Sequence, residues 1–255
     1  MTRWIRFEVD GKTQFGTLDA GTILPHEGDM FASPRPTGTK LPLASVRLLT
    51  PCAPTKMVAL WNNYRALAEK LGQAVPPEPL WFMKAPSSFH PGGEPIRVPA
   101  SYAGKVIYEG ELGIVIGRRT SNVSEADAPS HIFGYTCIND VTALEILKKD
   151  ASFDQWSRSK SFDTFGVFGP VIATGLDPSK LVVRTTLNGQ ERQNYPCSDM
   201  FFPPAKLVSL ISRDLTFEPG DVIACGTSVG VGSMKPGSDV VVSIEGIGEL
   251  ANRFE

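Results

Sequence analysis

Apolar and polar residues alternate through Trp4-Ile-Arg-Phe-Glu-Val9, the pattern of a strand with one buried face. Asp10-Gly11 follows as a type I′ hairpin signal, and residues 13–18 can return as the partner strand. A Pro/Gly-containing stretch, Pro34 to Pro42, separates this opening from Val46 onward. The pattern predicts a small N-terminal β module over 1–50 and a main body over 51–255. In that body, Tyr64, Leu67, Ala68 and Leu71 recur at i, i+3, i+4, i+7 and predict a helix over Asn63–Leu71. Asn62 or Asn63 can cap it and Gly72 can end it. Strand-like runs follow at Leu80–Lys84, Ile107–Ile116, Val167–Thr174, Leu181–Leu187, Val222–Cys225 and Val240–Glu245, with a second hairpin signal at Asn188-Gly189. Ala205–Ser212 reads as a further amphipathic helix. Abundant glycine and proline (24 and 21) favour turns and short strands, so the fold class predicted is mainly β with short helices.

One run breaks its own pattern. In Tyr108-Glu-Gly-Glu-Leu-Gly-Ile-Val-Ile116, Glu109 and Glu111 interrupt what otherwise reads as a buried strand. Side chains two apart on a strand share a face, roughly 7 Å apart. Two carboxylates there disfavour double ionisation unless a cation or proton lies between them. The other reading is a solvated pair on an exposed edge.

Composition narrows the choices. With 255 residues, 42% hydrophobic and a formal net charge of −2, the chain has an ordinary globular composition, long enough for one sizeable core or one core plus a small appendage. It carries no electrostatic footprint for nucleic acid or an anionic membrane. No stretch resembles a signal peptide or a membrane span. Cys52, Cys137, Cys197 and Cys225 are scattered without ligand spacing and read as core thiols in a reducing cytoplasm. Gly226-Thr-Ser-Val-Gly230 matches a nucleophile elbow, yet His26, His90 and His131 all precede Ser228, whereas that fold needs its histidine afterwards. Gly230-Val-Gly232 lacks a dinucleotide fingerprint's third glycine.

Asp140 ends an apolar run in Gly134-Tyr-Thr-Cys-Ile-Asn-Asp-Val-Thr142. It reads first as a turn aspartate and second as a third ligand for whatever the glutamates hold. Lys160, in Trp156-Ser-Arg-Ser-Lys-Ser-Phe-Asp-Thr-Phe165, is either a structural ion-pair partner or a positioned cation for an anionic substrate. Lys84, closing Trp81-Phe-Met-Lys84, poses the same question.

Taken in order, these segments resemble the fumarylacetoacetate hydrolase family from about Lys56 to Phe254. The residues carrying the resemblance are Asn63-Tyr64-Arg65, Phe82-Met-Lys-Ala-Pro-Ser87, Gly93-Glu-Pro-Ile96, Tyr108-Glu-Gly-Glu111, Gly134-Tyr-Thr136 and Asn139-Asp-Val141. They continue with Gln155-Trp156, Lys160-Ser-Phe-Asp-Thr-Phe165, Asn188-Gly189, Leu215-Thr-Phe-Glu-Pro-Gly-Asp-Val-Ile223, Gly226-Thr227 and Ile244-Glu-Gly-Ile-Gly248. The resemblance implies a mixed β-sandwich roll, often preceded by a small N-terminal domain and usually a homodimer. It implies a divalent metal, Mg2+ or Mn2+, on Glu109, Glu111 and Asp140, a hard oxygen set suited to either ion. It makes Lys160, with Glu109, the catalytic pair, and places Lys84, Ser87, Arg158 and Thr227 near a small 2-oxo acid substrate.

Two positions depart from the family. Hydrolytic members carry a His on the first helix and a Glu three residues later to activate water; here those positions are Leu67 and Lys70. Ser228 stands where Pro is common after Gly-Thr. The nominal expectation is C–C cleavage of an acylpyruvate-like acid through a metal-bound enolate. The alternatives are isomerisation or decarboxylation of a 2-oxo diacid, which need no activated water, and a non-catalytic metal- and diacid-binding relative.

Overall fold

The computed structural model describes residues 1–255. Its backbone is a thirteen-stranded sheet whose main path runs Arg35–Pro36, Thr22–Glu27, Lys12–Asp19, Thr2–Val9, Gly166–Thr174, Ile132–Asp140, Gly110–Ile116, Val222–Ala224, Met57–Trp61, Leu80–Lys84. The N-terminal hairpins extend this sheet: Thr2, Arg3 and Trp4 pair antiparallel with Thr174, Ala173 and Ile172. Both hairpin signals form as expected. Asp10 and Asn188 adopt φ of 49° and 51°, with Gly11 and Gly189 at 70° and 74°, the left-handed pair that a I′ turn requires.

A second, four-stranded sheet runs Gln190–Pro196, Val182–Leu187, Ser238–Ile244, Gly248–Phe254. Period-2 alternation decides which residues it meets. Leu112, Ile114 and Ile116 join Val183, Val242 and Leu250 in one buried cluster, while Val115 faces the other way with Ile138, Phe168, Ala59 and Phe82. Phe31, Phe133 and Trp156 close that second face. Phe168, fully buried on that face, contributes roughly 1.5–3 kcal/mol by area. No helix is long and apolar enough to cross a membrane.

Three local expectations change. The run Ile107–Ile116 forms two strands in different sheets, Val106–Tyr108 and Gly110–Ile116, with Glu109 at the switch. The second sheet presses hard on the residue after the switch: a Cβ built on Gly110 lies 2.0 Å from Thr185 Oγ1, so only glycine lets the two layers meet there. The first helix spans Arg65–Leu71, and Gly72 ends it at φ 63° as expected. Neither Asn62 nor Asn63 caps it; Asp199 Oδ2 accepts the Ala66 N–H at 3.0 Å instead. Tyr64 and Ala68 are buried while Leu71 is 47% exposed, so this short helix docks by its first turn. Finally, Trp156–Lys160 is a helix that the apolar pattern does not reveal, because its buried residues are Ser159 and Lys160.

Candidate active site

Register brings the acidic residues together. Glu111 pairs with Ile138 across the sheet, and Asp140, two residues beyond Ile138, therefore lies on Glu111's face. Glu109 reaches the same point from the sheet switch. Its backbone is pinned there, since its N–H donates to Asn139 Oδ1 at 3.1 Å and its C=O accepts the Asp140 N–H at 2.9 Å. One ligand oxygen from each of Glu109, Glu111 and Asp140 can be chosen so that all lie within 4.8 Å of one another. The exposed-edge reading of the glutamates therefore fails: Glu111 is fully buried and the Glu109 side chain is 14% exposed.

Two lysines close the cluster. Lys160, the last residue of its helix, donates from Nζ to Glu109 Oε2 and Asp140 Oδ2, both at 2.7 Å. Its ammonium also lies 5.4 Å from the Phe82 ring centroid, and Phe82 stacks on Trp156. Lys84 ends its strand with a fully buried side chain, donating to Asp140 Oδ1 at 2.5 Å and to the Lys160 carbonyl. Asp140 is thus gripped from both sides. Lys84 buttresses it from behind and holds the backbone of Lys160, while Lys160 stands between the carboxylates.

The electrostatics are unequal. Burial works against the charged form of Asp140, yet Lys160 and Lys84 outweigh it and hold its carboxyl below the usual range. Burial likewise opposes a charged Lys160, but Asp140, Glu109 and Glu111 push its ammonium up; it stays a cation. Burial lowers Lys84, with Asp140 acting against that. Burial raises Glu109, partly offset by Lys160. Glu111 is raised furthest, by burial and then by Asp140 and Glu109. Three carboxyl groups face two ammonium groups, and Glu111 is the one without an ammonium partner.

That imbalance is the test of a cation site. Glu111 Oε2 accepts the Gly226 N–H at 2.9 Å, but Oε1 is buried with no partner. An unpaired buried carboxylate oxygen costs several kcal/mol unless a proton or cation satisfies it. Glu109, Glu111 and Asp140 fit a divalent ion of the hard, oxygen-preferring kind.

The other residues singled out in the sequence are placed less centrally. Thr227 is buried beside the cluster, its hydroxyl donating to Gly110 C=O at 2.9 Å. Ser87 and Arg158 are exposed, and neither side chain has a hydrogen-bond or ion-pair partner within the chain. Leu67 is half-buried and Lys70 exposed. Sequence reasoning missed Asn139, Thr142 and Gln193. Thr142 Oγ1 lies 3.0 Å from the Asp140 carbonyl and 3.2 Å from Glu109 Oε1, two acceptors for its single proton. The signal for Asn139 and Thr142 was their adjacency to Asp140; Gln193, on an outwardly polar strand, had none.

Residues 56–255 match the fumarylacetoacetate hydrolase C-terminal family model, and residues 2–51 match an Rv2993c-like N-terminal one. The crystal structure of a 2-hydroxyhepta-2,4-diene-1,7-dioate isomerase from Mycobacterium marinum superposes with a TM-score of 0.91 at 37% identity, covering 100% of this chain and 98% of that one. Oxaloacetate tautomerase YisK of Bacillus subtilis is 34% identical over 83% of this chain and 74% of its own. A maleylpyruvate hydrolase from Sphingobium sp. SYK-6, solved with manganese(II) and pyruvate, superposes at a TM-score of 0.80 and 26% identity, covering 99% of this chain and 98% of that one.

Proposed function

The chain belongs to the fumarylacetoacetate hydrolase family, and on that premise we propose that it isomerises a small 2-oxo diacid by enolisation, using Mg2+ or Mn2+. The observation that carries this reading is the Lys160 ammonium shared at 2.7 Å between Glu109 and Asp140, with Glu109 the one carboxylate of the three whose side chain keeps appreciable exposure. A divalent cation held by Glu109, Glu111 and Asp140 supplies electrophilic polarisation of the substrate's keto and carboxylate oxygens. The chain's own groups do the rest. Glu109, whose side chain keeps 14% exposure at the cluster, takes the proton from the carbon next to the ketone; that C–H pair becomes the C=C bond and the carbonyl π pair moves to oxygen. Lys160, held cationic, offsets the charge growing on that oxygen. Returning the proton to oxygen completes tautomerisation, and returning it to a conjugated carbon shifts a double bond.

The side chains around the cluster favour this over hydrolysis. None of the three histidines hydrogen-bonds to it: His26 packs on Trp4 and Phe15, His131 bonds Thr120, and His90 pairs beside Val167. Leu67 offers no base for water, where a base typically contributes roughly 10²–10⁴-fold. Two relatives of this chain are themselves named a tautomerase and an isomerase.

The test follows enol-to-keto conversion of oxaloacetate and double-bond shift in unsaturated 2-oxo diacids, beside hydrolysis of acylpyruvates. Isomerisation is expected to dominate, with Lys160→Met and Glu109→Gln each losing about 10²–10⁴-fold. Faster acylpyruvate hydrolysis by the unaltered protein would sink the proposal and restore C–C cleavage. Turnover lost on chelation eliminates a purely binding role. Leu67→His with Lys70→Glu is expected to raise hydrolysis without raising isomerisation. We further propose a cytoplasmic homodimer without nucleic-acid partners, for which light scattering of the purified protein is the check.

A further inference from the structure

Beyond the carboxylates and lysines, one buried amide touches both sides of Glu111's cradle. Gln193 lies in the strand Gln190–Pro196 of the second sheet and is 1% exposed. Its Oε1 accepts the Gly110 N–H at 2.9 Å. Its Nε2 donates to Thr227 Oγ1 at 2.9 Å and to the Ser228 carbonyl at 3.3 Å. Thr227 Oγ1 in turn donates to the Gly110 carbonyl at 2.9 Å. These bonds close a ring through the backbone of one residue, Gly110, one side-chain amide and one hydroxyl.

The ring's placement gives it consequence. Gly110 is the residue between Glu109 and Glu111. Thr227 directly follows Gly226, whose N–H holds Glu111 Oε2 at 2.9 Å. The ring therefore links the backbone that bears both glutamates to the loop that grips one of them. Its direction is fixed as well. A hydroxyl has one proton, and Thr227 gives it to Gly110 C=O, which also accepts from Tyr195 OH on the same strand as Gln193. Thr227 consequently meets any ligand with a lone pair and not with its proton. Gly110 has no slack: a Cβ there lies 2.0 Å from Thr185 Oγ1 and 3.1 Å from Gln193 Oε1.

We propose that Gln193 is a positioning residue that sets the spacing of the Glu109 and Glu111 carboxylates through the Gly110–Thr227 ring, so that cation affinity depends on an amide that does not touch the cation. The inference rests on the cation site proposed above. Groups that orient metal-binding side chains typically cost 10- to 100-fold in affinity when removed.

Asn252 supplies the control for a merely structural role. It is also a buried amide in the second sheet, donating to the Pro91 and Glu94 carbonyls at 2.9 and 2.7 Å, and it has no hydrogen bond to the acidic cluster. The experiment titrates Mn2+ by calorimetry into the unaltered protein, Gln193→Leu and Asn252→Leu, with the Tm of each measured free of metal. Both variants are expected to melt lower, but only Gln193→Leu binds Mn2+ about tenfold or more weakly. Unchanged affinity in Gln193→Leu, or an equal loss in Asn252→Leu, overturns the proposal. Should Gln193→Leu not fold, Thr227→Val and Thr227→Ser decide: valine breaks the ring and is expected to weaken binding, while serine closes it again and keeps affinity within about twofold. Equal affinity in all Thr227 forms overturns it too. An unaltered protein that takes up no Mn2+ overturns the cation site itself, a result distinct from these because no variant then has affinity to lose.

Discussion

Asp221 and Glu111 are both fully buried carboxylates, and they are opposites. Asp221 accepts five hydrogen bonds: from Thr55 N and Oγ1, Lys56 N and Nζ, and Glu218 N, at 2.5 to 3.1 Å. Glu111 accepts one, from Gly226, and leaves Oε1 without a partner. The first joins the turn before Val222–Ala224 to the chain entering Met57–Trp61, and its charge is spent on architecture. The second is held in a state that the protein alone does not complete. A buried charge with every lone pair filled is a structural device; one with a lone pair unfilled asks for a ligand.

Removing each charge tests that contrast most strongly. Asp221→Asn is expected to cost about 3–5 kcal/mol, the usual effect of breaking a buried hydrogen-bonded pair, with Mn2+ affinity of the folded fraction unchanged. Glu111→Gln is expected to leave the metal-free protein as stable or more so, and to abolish Mn2+ binding. Urea unfolding and calorimetry on the two variants make the comparison. Loss of metal binding in both with equal loss of stability would erase the distinction.

Cation linkage gives the next effect in size. At 100 times Kd a ligand that binds only the folded state adds about 2.7 kcal/mol, so Mn2+ should raise the Tm of the unaltered protein and leave that of Glu111→Gln where it was.

A smaller effect is expected with pH. Glu111's folded pKa is raised well above its usual 4.5, so the folded state binds the proton more tightly than the unfolded chain. Its contribution is present below the ordinary value and is lost as pH rises through the raised one. The Tm of the metal-free protein minus that of Glu111→Gln should therefore fall as pH is raised from about 4.5. A difference that grows with pH would show that a cation or another group already neutralises Glu111.

The smallest effect concerns Cys52, whose thiol burial pushes up to about 12, with Arg6 acting against it and Asp221 adding to it. It donates to the Gly220 carbonyl at 3.3 Å. Alkylation at pH 8 should be negligible in the unaltered protein and measurable in Asp221→Asn, read by intact mass.

What could be read in the sequence follows the same division. The Glu109/Glu111 pair was legible because charge interrupted an apolar run, and the strands were legible where alternation was clean. Glu109's role as the switch between sheets was not, because it depends on Thr185 and Val242 pressing on Gly110 from another layer. The helix Trp156–Lys160 hid because its inward residues are polar. The strand Gly248–Phe254 hid because Asn252 occupies an inward position between Leu250 and Phe254. Asp221 was passed over in Pro219-Gly-Asp221, where an aspartate reads as a turn residue; its five donors come from two segments far apart in the chain. Local pattern carries local facts, and satisfaction of a buried charge is seldom local.

The bonds that define the acidic cluster also bear on how the molecule comes into being. Lys160 meets Glu109 across 51 positions of chain, Lys84 meets Asp140 across 56, and Gly226 reaches Glu111 across 115. Contacts of such separation pay loop-closure entropy before they return anything, and chains dominated by them fold slowly. During synthesis, Glu111 leaves the ribosome long before Gly226 exists, so no partial chain can complete the cradle. Refolding should accordingly recover strand signal before it recovers Mn2+ binding, and the interval between the two measures the closing of the last loop.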